Sequence, residues 1–447
     1  MNESEEPAIP SPSLFTSLVP YENQRDRNAL PTVGQCAVHL ELLEVFFALR
    51  SKIINSTQLD NTFGIKINNG IVHRKEYDRR KRKYIYKPYK LRDNTWQARR
   101  REKWSYFLSI AVQRFKMWIR KANDTVDGSG LSENTRLPFL PPLDVLMVWH
   151  ACLLNPVDFD YYCRKNGLKG IRQLSFPWAE IHRAINANDW TYSLANASSD
   201  WTRVTVNMHP DLVQYLELMG RTANPVSRVL SRYGDRSVTF GSLSPEVRYL
   251  ADSEKSFLNI LLELDVQKSQ NQPLVDNVQR QAAFVDKMHR HLWICSPAAE
   301  GTLRRALGRY DKFLKLFKFY PGKMMVPTLD IDLVWHTHQC SAAQYEESMR
   351  ERTGRFINHD DKIGQPVLDG AMAETRQLFI IRFGQEYSTC LCWDCEATAS
   401  ILEQIDENGG LDGADMDALA ELVRQDVGYY RAVELARQNG QERPRRQ

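Results

Sequence analysis

Apolar residues recur at helical spacing through most of the chain. Leu42, Val45, Phe46, Leu49 and Ile53 stand three or four apart and predict a helix over Val38–Ile54. Trp104, Phe107, Leu108, Ala111, Phe115 and Trp118 form a similar stripe within Thr95–Lys121. The same reading predicts helices over 143–164, 171–186, 210–220, 244–267, 275–294, 300–319, 328–352, 366–387, 396–406 and 414–438. Alternation at period two is scarce. Phe63, Ile65 and Ile67, followed by Asn68-Asn69-Gly70 and Ile71, predict a small hairpin between Thr62 and Val72. Trp201–Val206 reads as a short extended piece. The fold class is mainly α.

One block occurs twice. Leu143-Asp-Val-Leu-Met-Val-Trp-His150 matches Leu329-Asp-Ile-Asp-Leu-Val-Trp-His336 at an offset of 186, and each copy follows a proline-bearing loop. The preceding helices match at an offset of 195, Ala111–Phe115 (AVQRF) against Ala306–Tyr310 (ALGRY). An internally duplicated helical domain is expected, with a small β-hairpin and a basic insertion in the first half. The implied organisation is a disordered acidic, proline-rich tail over 1–30 and a first repeat unit over 31–225, with the basic insertion at 73–104. A second unit follows over 226–397, then an acidic helical hairpin and tail over 398–447.

Composition adds little until it is read locally. The chain has 447 residues, with 59 Lys+Arg against 55 Asp+Glu, a formal charge of +4. From His73 to Trp104 fourteen bases meet four acids, whereas from Glu396 to Tyr430 nine acids meet one base. These charges permit two arrangements: the two segments meet each other, or the basic one is left for an anionic partner. No apolar run approaches the roughly 18 residues needed to span a bilayer. The N-terminus lacks the cationic start and apolar core of a signal peptide. The eight cysteines are therefore expected to be intracellular thiols or metal ligands, in cytoplasm or nucleus.

Three groups of residues invite chemistry. In Trp335-His-Thr-His338 the two histidines point roughly 200° apart on a helix, so His336 and His338 cannot share an ion, whereas Asp332 and His336 face the same way. The first copy has Leu146 for Asp332 and Cys152 for His338, leaving Trp149/His150 and Trp335/His336 in common. Two readings fit: a duplicated packing unit, or a metal site in which His150 pairs with His336. Cys390-Leu-Cys392-Trp-Asp-Cys395 is a plausible zinc half-site, with His359, His289 or a carboxylate as fourth ligand. Zinc and iron are the cofactors these ligand sets suggest. Arg79, Arg80, Lys81, Arg82 and Lys83 suit nuclear import or, with Tyr77, Tyr84, Tyr86, Tyr89 and Trp96, nucleic-acid binding. A solvated face is the third reading. The run 406–419 lacks the sixth-position glycine of a calcium loop, and no P-loop, GxGxxG, GxSxG or HExxH occurs.

The runs VPTLDIDLVWHTHQCSAAQYEE (326–347) and CSPAAEGTLRRALGRYDKFLKLF (295–317) resemble the glycine-rich domain-containing protein-like (GRDP-like) family of plants and fungi. TGRFINHDDKI (353–363) and RFGQEYSTCLCWDCEA (382–397) resemble its fungal branch. The glycine-rich tail of plant members has no counterpart, since 22 glycines in 447 residues is about 5%, against a usual value of about 7%. The resemblance implies a growth- or stress-related role and supplies no catalytic residues; some fungal members carry a dioxygenase label. The expected function is a non-catalytic helical binding or regulatory protein with a protein partner. The alternatives are a metal-dependent enzyme at the repeat interface and nucleic-acid binding through 73–104.

Overall fold

The first long helix, α1 (Val33–Asn55), is buried around most of its circumference, from Cys36 and Val38 to Leu49 and Ile53. A helix apolar on all sides belongs in the middle of a bundle. Its start is fixed by a capping box in which Thr32 and Gln35 bond each other's backbone N–H. Two acids also lie on it: Glu41 bonds His182 and Glu44 bonds His289, both at 2.7 Å. Burial pushes the Glu41 carboxyl up, and the His182 contact opposes this in part.

The computed structural model describes residues 6–18, 29–128, 137–220, 224–233, 245–360, 362–407 and 415–446. After α1 come α2 (Thr57–Thr62), strands β1 (Gly70–Asp78) and β2 (Lys83–Leu91), and α3 (Trp96–Gly128). Then follow α4 (Leu143–Leu153), α5 (Pro156–Asn166), α6 (Lys169–Gln173), α7 (Trp178–Ala184) and the two-residue strands β3 (Ile185–Asn186) and β4 (Thr191–Tyr192). The middle of the chain forms α8 (Asn196–Val204), α9 (Leu212–Met219), α10 (Pro225–Tyr233), α11 (Asp252–Glu263) and α12 (Lys268–His291). The last part forms α13 (Ala299–Phe319), α14 (Leu329–Gln339), α15 (Ala342–Thr353), α16 (Gln365–Phe383), α17 (Trp393–Glu407) and α18 (Met416–Gln438). The mainly α expectation holds.

Helix α1 packs against α3 and α12 and against α13 and α14, so the core is organised around it. The helices α3 and α4 are clasped by a buried ion pair, Arg114 Nε to Asp144 Oδ2 at 2.6 Å. The corresponding residues of α13 and α14, Arg309 and Asp330, make the same bond at the same length. Arg114 and Asp144 are almost fully buried, and removing one partner of such a pair costs about 3–5 kcal/mol.

Several expectations need correction. The hairpin does not lie over Thr62–Val72; the basic segment itself forms it, as β1 and β2. Its turn contains no Asn or Gly. Asp78 Oδ1 accepts the backbone N–H groups of Arg80 and Lys81, and Arg82 takes a positive φ of 46°. Trp201–Val206 is not extended but mostly continues α8. Its β-branched residues suggested a strand, but Thr202 is fully buried on a helical face. The predicted helices 143–164 and 328–352 each break, at Leu154-Asn155 and at Cys340-Ser341, and 171–186 is interrupted between Gln173 and Trp178. Within the segment expected to be a tail, Pro12–Phe15 form a 3-10 turn and Leu14 is buried.

Candidate metal centre

Thr328 takes an extended backbone conformation, its carbonyl accepts the Asp332 N–H at 2.8 Å, and α14 begins. One helical turn then places Asp332 beneath His336 on the same face. The His338 ring leaves in the opposite sense and its Nδ1 bonds the Tyr310 hydroxyl at 3.0 Å, in the core. Gly354, with φ of 77°, ends α15 in a left-handed conformation and turns the chain back along α14. Two hydrogen bonds pin the returning loop: Trp335 Nε1 donates to the Tyr345 hydroxyl at 2.8 Å, which donates to the Ile357 carbonyl at 2.7 Å. His359 thereby comes against His336.

Three potential ligand atoms converge there. His336 Nε2 is 3.1 Å from His359 Nε2, and Asp332 Oδ1 is 3.4 Å from the first and 3.6 Å from the second. A circle through points so spaced has a radius of about 2 Å, so an ion about 2.0–2.1 Å from each atom would sit just outside their plane. That is three corners of a tetrahedron. Four-coordinate zinc fits these separations, and two imidazoles with one carboxylate are also the ligand set of non-haem iron(II) sites.

The surroundings favour the ligand state. His359 Nδ1 is 3.3 Å from the Leu154 carbonyl, which can only accept, so Nδ1 carries the proton and Nε2 presents its lone pair. Burial acts to raise the Asp332 carboxyl, but His336, His359 and Lys287 outweigh it, and the net shift is downward. The three residues line a cleft of about 740 Å³. Its walls include Phe284, Phe317, Met325 and Trp335, and Lys287 and Arg355 stand exposed at its rim.

His150, singled out as a partner for His336, instead bonds His39, with 2.8 Å between the Nε2 atoms. His39 Nδ1 is 2.8 Å from Thr337 Oγ1, which donates to the Leu333 carbonyl. The hydroxyl proton is thus committed, which makes His39 Nδ1 a donor and its Nε2 an acceptor for His150. Both rings are buried and neutral: burial lowers His39 well below the usual histidine range and takes His150 to about 3.

Cys390, Cys392 and Cys395 form a separate cluster, their sulfurs all within 4.8 Å of one another. Neither histidine proposed as their fourth ligand serves, because His359 is in the cleft and His289 is held by Glu44. Sequence reasoning did not join His359 to the Asp332/His336 pair, nor find His39. The available signal for His359 was a histidine in a polar loop just after a helix-ending glycine. Residues 408–414 of the dismissed calcium loop lie outside the described residues, and Asp415 caps α18.

Arg79, Arg80, Lys81 and Arg82 form the hairpin turn and Lys83 begins β2, all exposed. The register puts His73, Lys75, Tyr77, Tyr84, Tyr86 and Lys90 on one face, which carries no acid. On the other face Glu76 bonds Lys87 at 2.8 Å. Among the described residues no ion pair joins this hairpin to the acidic segment; there Glu403 bonds Arg305 at 2.9 Å and Asp426 bonds Arg446 at 2.5 Å.

Residues 231–348, which include α14, match the family described as Glycine-rich domain-containing protein-like (GRDP-like). Glycine-rich domain-containing protein 1 of Arabidopsis thaliana is 25% identical over 300 residues, which is 64% of this chain and 30% of that protein. Glycine-rich domain-containing protein 2 of the same plant is 23% identical over 261 residues, 57% of this chain and 26% of that protein. The chain thus matches less than a third of the length of either relative. No solved structure gives a significant match. No helix among the described residues is long and apolar enough to cross a membrane.

Proposed function

We propose that Asp332, His336 and His359 hold a single divalent transition metal, and that the chain acts on a small ligand in the adjoining cleft as a metal-dependent enzyme. The observation that supports this most is the triangle of ligand atoms, 3.1–3.6 Å on a side, with its remaining coordination corner available to the cleft. Structural zinc sites are closed by four protein ligands, whereas catalytic ones keep a position open. The ion would supply Lewis acidity or an activated water, or, as iron(II), oxygen chemistry. The protein's part is to orient both imidazoles, to keep Asp332 ionised and to offer an apolar wall to the ligand's body.

Metal analysis of purified protein tests this. The wild type is expected to hold one equivalent more of zinc or iron than Asp332→Ala and His359→Ala proteins that remain folded by circular dichroism. Protein that takes up no metal at this site would return the reading to helical binding without catalysis, in a regulatory or stress-related role.

Internal duplication is part of this proposal. Beyond the matched Arg–Asp pairs, α4 and α14 begin and end 186 residues apart, and so do the starts of α5 and α15. Only the second copy carries the acid, since Leu146 occupies the place of Asp332 and is fully buried. The acid-free face of the hairpin supports a second reading independent of the metal. Tyr77, Tyr84 and Tyr86 are 53–67% exposed beside bases of the turn that form no ion pair among the described residues, an arrangement suited to stacking on single-stranded nucleic acid.

A further inference from the structure

We propose that Cys390, Cys392 and Cys395 form a second metal site, a three-thiolate site for zinc on the surface opposite in chemistry to the cleft. Zinc–sulfur bonds of about 2.3 Å in a tetrahedron put the sulfurs about 3.8 Å apart. The three sulfurs already lie within 4.8 Å of one another, within about 1 Å of that spacing.

The backbone carrying them is held from both sides. Trp293 Nε1 donates to the Leu391 carbonyl at 2.9 Å, and Trp393 Nε1 donates to the His291 carbonyl at 2.6 Å. Each indole thus reaches into the segment of the other. A fixed backbone lowers the conformational entropy that ligand binding must overcome. Cys392 also stands at the start of α17, where its carbonyl accepts the Glu396 N–H at 3.0 Å, and Cys395 is in the first turn.

The acids next to the cysteines are engaged elsewhere. Asp394 pairs with Arg431 at 2.7 Å, and Glu396 pairs with Arg305. The fourth position therefore goes to solvent, beside the exposed Cys390 and Cys395. Binding is not a redox step: Zn²⁺ replaces three thiol protons, three S–H bonds break as three Zn–S bonds form, and the site carries a net charge of −1.

The two metal proposals separate in one experiment on the full chain, kept reduced with a phosphine. A His336→Ala/His359→Ala protein titrated with Co²⁺ is expected to bind one equivalent with an intense near-ultraviolet thiolate-to-cobalt band that Zn²⁺ abolishes. The Cys390→Ser/Cys392→Ser/Cys395→Ser protein is expected to lack that band while keeping metal in the cleft. These cysteines are exposed or half-buried, so folding, followed by circular dichroism, is expected to survive. Absence of the band in the folded histidine variant overturns the proposal, as does a band of equal strength in the serine variant.

Discussion

Asp160 and Glu346, which stand 186 residues apart, share one guanidinium: Arg172 bonds Asp160 through Nε at 2.6 Å and Glu346 through Nη2 at 2.5 Å. That separation is the offset of the repeated tryptophan–histidine block. The shared cation ties α5 to α15. Replacing Arg172 by Met removes the cation between the two acids and leaves Asp160 to Arg164 and Glu346 to Arg350. All three side chains are about a quarter exposed, so solvent screening limits the loss to about 1 kcal/mol. Urea denaturation measures it, and an added Glu346→Gln change is expected to restore part of the loss. An unchanged midpoint in Arg172→Met would show that the bridge contributes nothing.

Acid should destabilise the fold through His39 and His150. Both pKa values are depressed in the folded state, His150 to about 3, whereas an unfolded histidine titrates near 6.5. Their contribution is therefore complete above about pH 6.5. It declines as pH falls towards the folded values, by about 1.4 kcal/mol per pH unit for each ring. In His150→Gln, whose amide can still donate to His39, the proton uptake on unfolding at pH 5 is expected to fall by about one. An unaltered pH slope would contradict the neutral pair.

Ligand linkage gives the cleft a signature that needs no substrate. Zinc at a hundredfold excess over its Kd is expected to stabilise the protein by about 2.7 kcal/mol. Thermal melts with and without chelator should show that shift in protein whose Cys390, Cys392 and Cys395 are serine, and an added Asp332→Asn should lose most of it. Equal shifts in both proteins would place the effect elsewhere.

The hairpin supports a prediction of opposite character. Replacing residues 70–91 with a short flexible linker is expected to leave the melting temperature within a degree or two, because its side chains are exposed or half-exposed and none enters the core. Binding to a single-stranded oligonucleotide should disappear with it. In the intact protein the affinity should fall with salt at a logarithmic slope of about −0.7 for each phosphate contacted. Retained binding after deletion would reassign the surface.

The parts legible in the sequence were those governed by local spacing. Asp332 and His336 were placed on one helical face by their separation of four, and His338 was correctly directed away. His359 was not joined to them, because its position depends on a left-handed Gly354 and on the bonds linking Trp335, Tyr345 and Ile357, which no spacing rule encodes. The paired breaks after Leu153 and Gln339 were hidden by apolar patterns that continue through them. The hairpin was misplaced because a turn built on Asp78 and Arg82 lacks the Asn-Gly signal, and its strands expose both faces, leaving no hydrophobic alternation to read.

That exposure has a consequence for how the chain responds to cutting. The turn presents five consecutive basic residues, Arg79–Lys83, to solvent, which makes it a preferred target for a trypsin-like protease. The helices on either side, α1 and α3, are packed against each other in the core. A nick at the turn therefore yields two fragments on a denaturing gel but one particle in solution, and the severed protein keeps both its clefted half and its cysteine cluster intact.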